Sequence, residues 1–277
     1  MKAQKFRKII SLVMAVCIVF TLFAVVPFSA SAEVTSGTTG DCSWTLDGTH
    51  LTISGNGEMG NYDIYIRGGL APWGTEITSV DIKQGVTNIG DSAFRGCTGL
   101  TSVIIGNGVT RIGDSAFYGC TSLTGITIPD SVANIGWGAF SGCTSLTSIT
   151  IPDSVTSIGD WAFGNTAYYD NDNNWLDGVL YISNHLIGVK KDIVKGDYVI
   201  RQGTKSVNGN AFSGCEELTS VTIPDSVINI GYDAFHYCAK LTAIIVDENN
   251  RNYCSADGVL YTKDKSQLML CPTKKRV

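Results

Sequence analysis

Histidine is scarce in this chain: three in 277 residues, and His50, His185 and His236 stand in three unrelated contexts. No serine stands in the G-x-S-x-G turn that exposes a hydrolytic nucleophile, and the recurring Gly-Asp-Ser-Ala-Phe lacks the closing glycine. Both absences count against an enzyme, and no catalytic, cofactor-binding or metal-binding residue is assigned. There is no Pro-rich linker, no C-terminal hydrophobic anchor and no sorting motif after Cys271, so wall attachment is not expected. Positive charge is also short. Lys2, Lys5, Arg7 and Lys8 are four of the 20 basic residues, and without that leader 16 Lys and Arg face 25 Asp and Glu, a net charge of −9. Such a balance argues against nucleic acid as a partner, and the solubility of an exported protein accounts for it.

Those leading basic residues precede an apolar run from Ile9 to Val26 and then Ala30-Ser31-Ala32, the order of a secretory signal peptide cleaved after Ala32. An uncleaved anchor is the alternative on length. Val16 before Cys17 argues against lipoprotein processing. Bacterial export to a secreted or cell-surface location is expected, with no membrane span once the signal is removed.

The chain is dominated by a 23-residue unit: Ile89 to Arg111 reads IGDSAFRGCTGLTSVIIGNGVTR, Ile112 to Asn134 reads IGDSAFYGCTSLTGITIPDSVAN, and Ile135 to Ser157 reads IGWGAFSGCTSLTSITIPDSVTS. The unit returns at Val207 to Asn229 and in part from Ile230. A fixed period of this size specifies a solenoid whose units bury their apolar faces only by stacking. Within each unit L-x-x-(V/I)-x-I, as in Leu123, Ile126 and Ile128, reads as a strand with alternate residues inward. A-F-x-x-C, as in Ala93, Phe94 and Cys97, fits one tight helical turn. Gly90, Gly113, Gly136 and Gly159 are expected to supply backbone angles closed to other residues at the corner of each coil.

The composite IGxxAFxGCxxLTSITIPxSV resembles the BspA-like leucine-rich repeat family of secreted and surface bacterial proteins, from Ile77 to Val246 by repeats, with Gly40 to Trp73 similar to the β-rich module that often precedes them. The resemblance implies a curved leucine-rich repeat solenoid, β-rich with short helical turns, with a parallel sheet on its concave side, and roles in adhesion or protein binding without catalytic residues. The coil is expected to be right-handed, with all long strands in one parallel sheet. The expected division is a signal peptide at 1–32, a β capping module at 33–75 and the solenoid at 76–277. Within the solenoid an irregular excursion covers 164–206 and a hairpin-like segment covers 247–277. Trp44, Leu46, Leu51 and Ile53 alternate about Asp47-Gly48, a β-hairpin that covers the first coil. Asp177-Gly178-Val179-Leu180-Tyr181 has a near copy at 257–261, so a second kind of hairpin occurs twice.

Several candidate chemistries reduce to structure. Cys97, Cys120, Cys143, Cys215 and Cys238 share one phase, so their side chains point the same way in adjacent coils and are read as free, buried thiols. Spacing alone leaves a Cys254–Cys271 bridge open, and Cys42 stands apart. Gly55 to Gly60 matches G-x-G-x-x-G but no helix follows, so it is read as a turn. Asp170, Asp172 and Asn174 have calcium-loop spacing without the required glycine and terminal glutamate, and are read as a polar loop.

Two surfaces remain as candidate ligand contacts. One is the concave face, with Ser102, Thr127, Ser148, Thr150, Ser220 and Thr222 between the inward positions. The other is the excursion, where Tyr168, Tyr169 and Trp175 are aromatic anchors. The expected function is a secreted, non-catalytic binding or adhesion protein for an extracellular protein or glycan. A structural matrix spacer is the alternative, and a polysaccharide hydrolase a weaker third.

Overall fold

The computed structural model describes residues 35–62 and 70–272. The signal peptide and its cleavage site lie outside the described residues. The N-terminal strands β1 (Thr35–Thr39), β2 (Cys42–Asp47) and β3 (His50–Gly55) form an antiparallel meander, followed by the two-residue β4 (Gly57–Glu58). The expected hairpin turns at Asp47-Gly48, with Asp47 opposite His50. Strand β1 carries no apolar alternation, TSGTT, and was not legible in the sequence.

Each coil then supplies two strands, of equal length in the first coil and the second shorter in the next three: β5 (Ser79–Ile82) and β6 (Val86–Ile89), β7 (Ser102–Ile105) and β8 (Arg111–Ile112), β9 (Gly125–Thr127) and β10 (Asn134–Ile135), β11 (Ser148–Thr150) and β12 (Ser157–Ile158). Adjacent coils pair in parallel through their short strands, and through their long strands as well except between β7 and β9. The cap merges into the first ladder, because β3 pairs in parallel with β5 and β5 with β7. A second ladder of two-residue rungs runs β4-β6-β8-β10-β12. The Gly55–Gly60 segment thus supplies the first rung of that ladder as well as a turn, which corrects the sequence reading.

The regular coil is then interrupted. Helix α1 (Ala167–Asp170) is capped by Thr166, whose hydroxyl accepts from the Tyr169 amide at 3.1 Å. Strands β13 (Trp175–Leu176), β14 (Val179–Ile182) and β15 (His185–Val189) run antiparallel, turning first at Asp177-Gly178, both with positive φ. Stacking resumes with β16 (Gly196–Val199), β17 (Ser206–Val207), β18 (Leu218–Ile223), β19 (Asn229–Ile230) and β20 (Ala243–Val246). An antiparallel sheet of β21 (Tyr253–Ala256), β22 (Val259–Thr262) and β23 (Leu268–Leu270) follows, and the copied Asp257-Gly258 turn is the hairpin between β21 and β22. The described residues form a β-solenoid of about seven turns with almost no helix.

The single long-strand sheet expected from the period is three ladders instead: β3-β5-β7 with the cap, β9-β11, and β16-β18-β20. The inserted α1–β15 segment separates β11 from β16 in the chain, and β15 joins the short-strand side by pairing with β17. The core divides at the same place, into one buried cluster from Cys42 to Ile187 and another from Val179 to Leu260. Phe94, Phe117, Phe140 and Phe163 stack at 5.1, 5.3 and 5.6 Å between ring centroids, with Trp73 covering the first ring at 5.7 Å. A second stack, Phe212 on Phe235 at 5.2 Å, is covered by Tyr198 at 5.4 Å. These spacings follow the strand repeat of roughly 4.8 Å, so each ring inherits its partner from backbone pairing.

At the corner the A-F-x-x-C segment makes i→i+3 turns, with Cys97 N donating to Phe94 O at 3.2 Å. Alternate amides of that turn reach the next coil: Ser92 N to Asp114 O at 2.8 Å, Phe94 N to Ala116 O at 2.7 Å and Gly96 N to Tyr118 O at 2.7 Å. The expected reason for the corner glycines is wrong. None of Gly90, Gly113, Gly136 and Gly159 has positive φ; the positive-φ residues are the ones two places later, Ser92, Ser115, Gly138 and Trp161. Glycine is needed for space. A Cβ on Gly113 would stand 2.7 Å from the Ile89 carbonyl oxygen, and one on Gly90 would stand 1.9 Å from that of Gly60.

The phased cysteines are buried and free. Cys120 Sγ donates to Phe94 O at 3.2 Å and Cys143 Sγ to Phe117 O at 3.1 Å, so each thiol ties its coil to the one before. In the coil that starts at Ile158, Thr166 takes the cysteine place and is also fully buried. Cys254 is free, its Sγ donating to Thr262 O at 3.4 Å, and Cys271 is free as well. Burial pushes the Cys97 and Cys215 thiols up to about 12 and Cys238 to about 11. Cys120 is raised too, first by its hydrogen bond with Cys143 and then by burial.

Two predictions follow from this packing. Gly113→Ala is expected to cost more than about 2 kcal/mol, because backbone must move, whereas Gly138→Asn should stay within about 0.5 kcal/mol. Position 138 is open, its nearest neighbour 3.6 Å from a Cβ. Equal melting temperatures for the two variants would refute the close-approach account. For the thiols, alkylation should be slow in native protein and complete at all five positions after denaturation without reductant. Since the folded pKa values of Cys97, Cys120, Cys215 and Cys238 lie above the unfolded one, stability is full below about pH 9 and falls as the pH rises toward 11–12, where unfolded thiols lose protons first. A mass-mapped Cys120–Cys143 bridge, or a stability flat from pH 8 to 11, would contradict this.

Candidate functional site

Outward positions on the long strands form rows across neighbouring coils. Parallel register aligns Ser79 with Ser102, Asp81 with Ile104, Gly125 with Ser148 and Thr127 with Thr150. The threonine just ahead of each strand is spent on stacking, as when Thr101 Oγ1 donates to Thr78 O at 3.2 Å. Ser102, Thr127, Ser148 and Thr150 are exposed, and none makes a side-chain hydrogen bond among the described residues. They border an open depression of about 520 Å³, floored at Gly125 and Ile126. Ile104 lies in the same surface and is 60 % exposed. After the interruption the rows change character. Ser220 Oγ and Thr219 Oγ1 both donate to one oxygen of Asp197 at 2.7 Å, and Thr222 is half-buried. The hydroxyl rows of the first block are therefore free to bond elsewhere, and Ser220 in the second is already engaged.

The aromatic candidates sit differently. Tyr168, Tyr169 and Trp175 are half-buried against the first core. Trp175 Nε1 donates to Tyr169 O at 2.7 Å, its ring meets that of Tyr169 edge-on at 5.1 Å, and the Lys190 ammonium lies 5.0 Å from the ring centroid. Lys190 also pairs with Asp172 at 2.5 Å, which lowers the Asp172 pKa. The loop is pinned to the coil on both flanks.

The histidines are kept apart. His50 lies on β3 with Nδ1 2.7 Å from Ser79 Oγ, and His236 is at a corner 3.3 Å from Asp233. His185 is fully buried with Nδ1 2.9 Å from Ser206 Oγ, and burial lowers its pKa. That serine–histidine pair has no opening to a substrate.

A second concavity went unnoticed in the sequence. The corner-to-corner backbone bonds run from Gly142 N to Gly164 O and resume only at Phe212 N to Ala234 O. Between those coils lies a cavity of about 80 Å³ bordered by Trp161, Tyr169, Gly188, Asn208 and Gly209. The coils are tied across it by Asn210 Nδ2, which donates to Asp160 Oδ2 at 2.7 Å. Burial raises the Asp160 pKa, the Asn210 bond opposes that, and Asp233 adds to it. The signal was present in the repeat alignment: tryptophan stands at 161 where other coils have serine, glycine, asparagine or aspartate, and asparagine stands at 208 where they have glycine. No spacing in the chain announces that the two positions meet.

Among the described residues no helix is long and apolar enough to cross a membrane. The BspA type leucine-rich repeat model matches in six copies over residues 73–184 and 196–256, with the gap running from the start of β15 to the residue before β16. No protein of curated function matches. Solved structures similar to the chain include a leucine-rich repeat protein of Eubacterium ventriosum, 24 % identical over 88 % of this chain and 52 % of that one, with a TM-score of 0.34. A leucine-rich cell surface protein of Faecalibacterium prausnitzii is 29 % identical over 90 % and 64 %, with a TM-score of 0.37. A leucine-rich repeat protein of T. pallidum is 23 % identical over 75 % and 87 %, with a TM-score of 0.39. The chain spans about half the length of the first of these. Proteins of this kind are typically secreted or at the cell surface and generally non-catalytic. By its repeats the chain belongs to the BspA-type leucine-rich repeat family.

Proposed function

We propose that this protein is an exported, non-catalytic recognition protein that binds protein or glycan on a host or neighbouring-cell surface through the long-strand face of its first block. The observation that carries this is the free hydroxyl field of Ser102, Thr127, Ser148 and Thr150 around the open depression. Its hydroxyls are held by two neighbouring backbone ladders, Ser102 on one and Thr127, Ser148 and Thr150 on the other, so little ordering entropy opposes binding. Small hydroxyls individually contribute little, and affinity would come from several rows acting together with Ile104 as the apolar contact. The aromatic loop is the weaker alternative, because its rings are already committed to intramolecular contacts.

The test is binding of secreted protein to immobilised host extracellular-matrix glycoproteins, before and after their deglycosylation. Thr127→Arg with Thr150→Arg is expected to lower binding at least tenfold without changing the melting temperature, while Thr127→Ala alone changes it less than threefold. Trp175→Ala should lower the melting temperature and leave binding by the folded fraction intact. Undiminished binding by the double arginine variant would remove the face from the reading. A folded wild type that binds none of these surfaces would favour the matrix spacer.

A further inference from the structure

Two of the regular repeat units depart from the pattern that the other regular units share, and both departures border one cavity. The first departure is Trp161. Its φ is +58°, a region that Ser92, Ser115, Gly138, Asn210 and Asp233 occupy at the same place in their coils. For a bulky side chain this conformation is costly, on the order of 1 kcal/mol or more. Burial does not offset the cost, since Trp161 is 59 % exposed. The ring rests on Gly164, where a Cβ would meet it at 3.0 Å, and borders the cavity.

The second departure is Asn208. In the other coils this corner position is glycine because the neighbouring coil lies too close for a Cβ. At 208 the neighbour stands back, and the side chain enters the space. It is 4 % exposed, and its Oδ1 has no hydrogen-bond partner. A buried amide oxygen left unpaired keeps its full desolvation penalty, so something ordinarily bonds it. Tyr169 borders the same space, and its hydroxyl makes no hydrogen bond among the described residues.

We propose that this seam is a saccharide-binding site that admits the hydroxymethyl arm or a vicinal diol edge of a sugar, with the Trp161 indole against the apolar face of the ring. Size, polarity and charge select that class. The space of about 80 Å³ compares with about 30 Å³ for a water molecule, enough for a few non-hydrogen atoms and too small for a whole pyranose. An amide and a phenol can each both accept and donate, which matches hydroxyl groups. Gly188 and Gly209 keep the walls thin, and the flat ring of Trp161 is the only large exposed side chain on the border. A cation is disfavoured because the nearby carboxylate is already used: Asp160 Oδ2 holds Asn210 and Oδ1 packs against Gly209. Among the described residues no basic side chain borders the space to attract an anion. Tyr232, 87 % exposed, follows on the next coil, where its carbonyl oxygen stands 3.0 Å from the place of a Cβ on Gly209, and would extend the platform toward a second sugar unit. The site is separate from the long-strand face and does not depend on that face's function.

The experiment uses the full secreted protein and the methyl glycosides of glucose, galactose, mannose and N-acetylglucosamine, read by saturation-transfer NMR and by tryptophan fluorescence. At least one glycoside should receive saturation, strongest at the protons of its hydroxymethyl or diol edge. Two variants restore what the other coils carry, Asn208→Gly and Trp161→Ser, so neither should harm folding, and Trp161→Ser should raise the melting temperature by relieving the backbone. Each is expected to weaken glycoside binding at least tenfold while binding to deglycosylated matrix protein stays unchanged. Absence of saturation transfer to all four glycosides from folded wild type would leave the cavity to ordered water and overturn the proposal. So would transfer that survives in both variants. Neither result bears on the arginine variants of the long-strand face.

Discussion

Everything in this molecule is set by how closely one coil's backbone approaches the next. Parallel pairing through two separate strands, and again through the corner turns, fixes the step between coils near the strand repeat of about 4.8 Å. At that step phenylalanine rings fall into van der Waals contact face to face, thiols reach the carbonyl of the coil before, and the corner has no room for a Cβ. The apolar stacking supplies most of the favourable free energy, since each buried phenylalanine is worth about 1.5–3 kcal/mol. The hydrogen bonds supply the distance at which the stacking happens.

This constraint explains which parts of the structure were legible beforehand. A demand repeated in every coil leaves a mark at the same phase, so the inward Leu, Val and Ile, the Phe column and the free cysteines could be read from the period alone. The hairpin about Asp47-Gly48 and the copied Asp-Gly turns were legible for a local reason, because tight turns require particular residues. The corner glycines were noticed but misread: both close approach and positive φ favour glycine, and composition cannot separate them. Positive φ in fact falls on Ser92, Ser115 and their equivalents. Strand β1 and the two-residue rungs were missed, being too short or too polar to show a periodicity.

The candidate surfaces were legible as residues and not as environments. Ser102 and Ser220 look equivalent in the chain, yet Asp197 appears only beside the second and takes up its hydroxyl. Tyr169 and Trp175 read as exposed anchors in a polar loop, but the loop folds back and each aromatic packs on the other. The seam depends on a meeting between residues 161 and 208 across an insertion of irregular length. Periodicity says nothing about such a meeting, although each residue is conspicuous as an exception in its own column.

The interruption of the phenylalanine column between Phe163 and Phe212 has a mechanical meaning. Within each block, backbone pairing and a continuous ring stack would have to part together for coils to separate. At the junction the corner bonds are missing, and a side-chain contact between Asn210 and Asp160 stands in their place. A solenoid pulled from its two ends shares the load along its axis, and it yields where fewest bonds run parallel to that axis. The junction is the compliant link, a softer coupling between two stiffer blocks that gives under load before either block unravels.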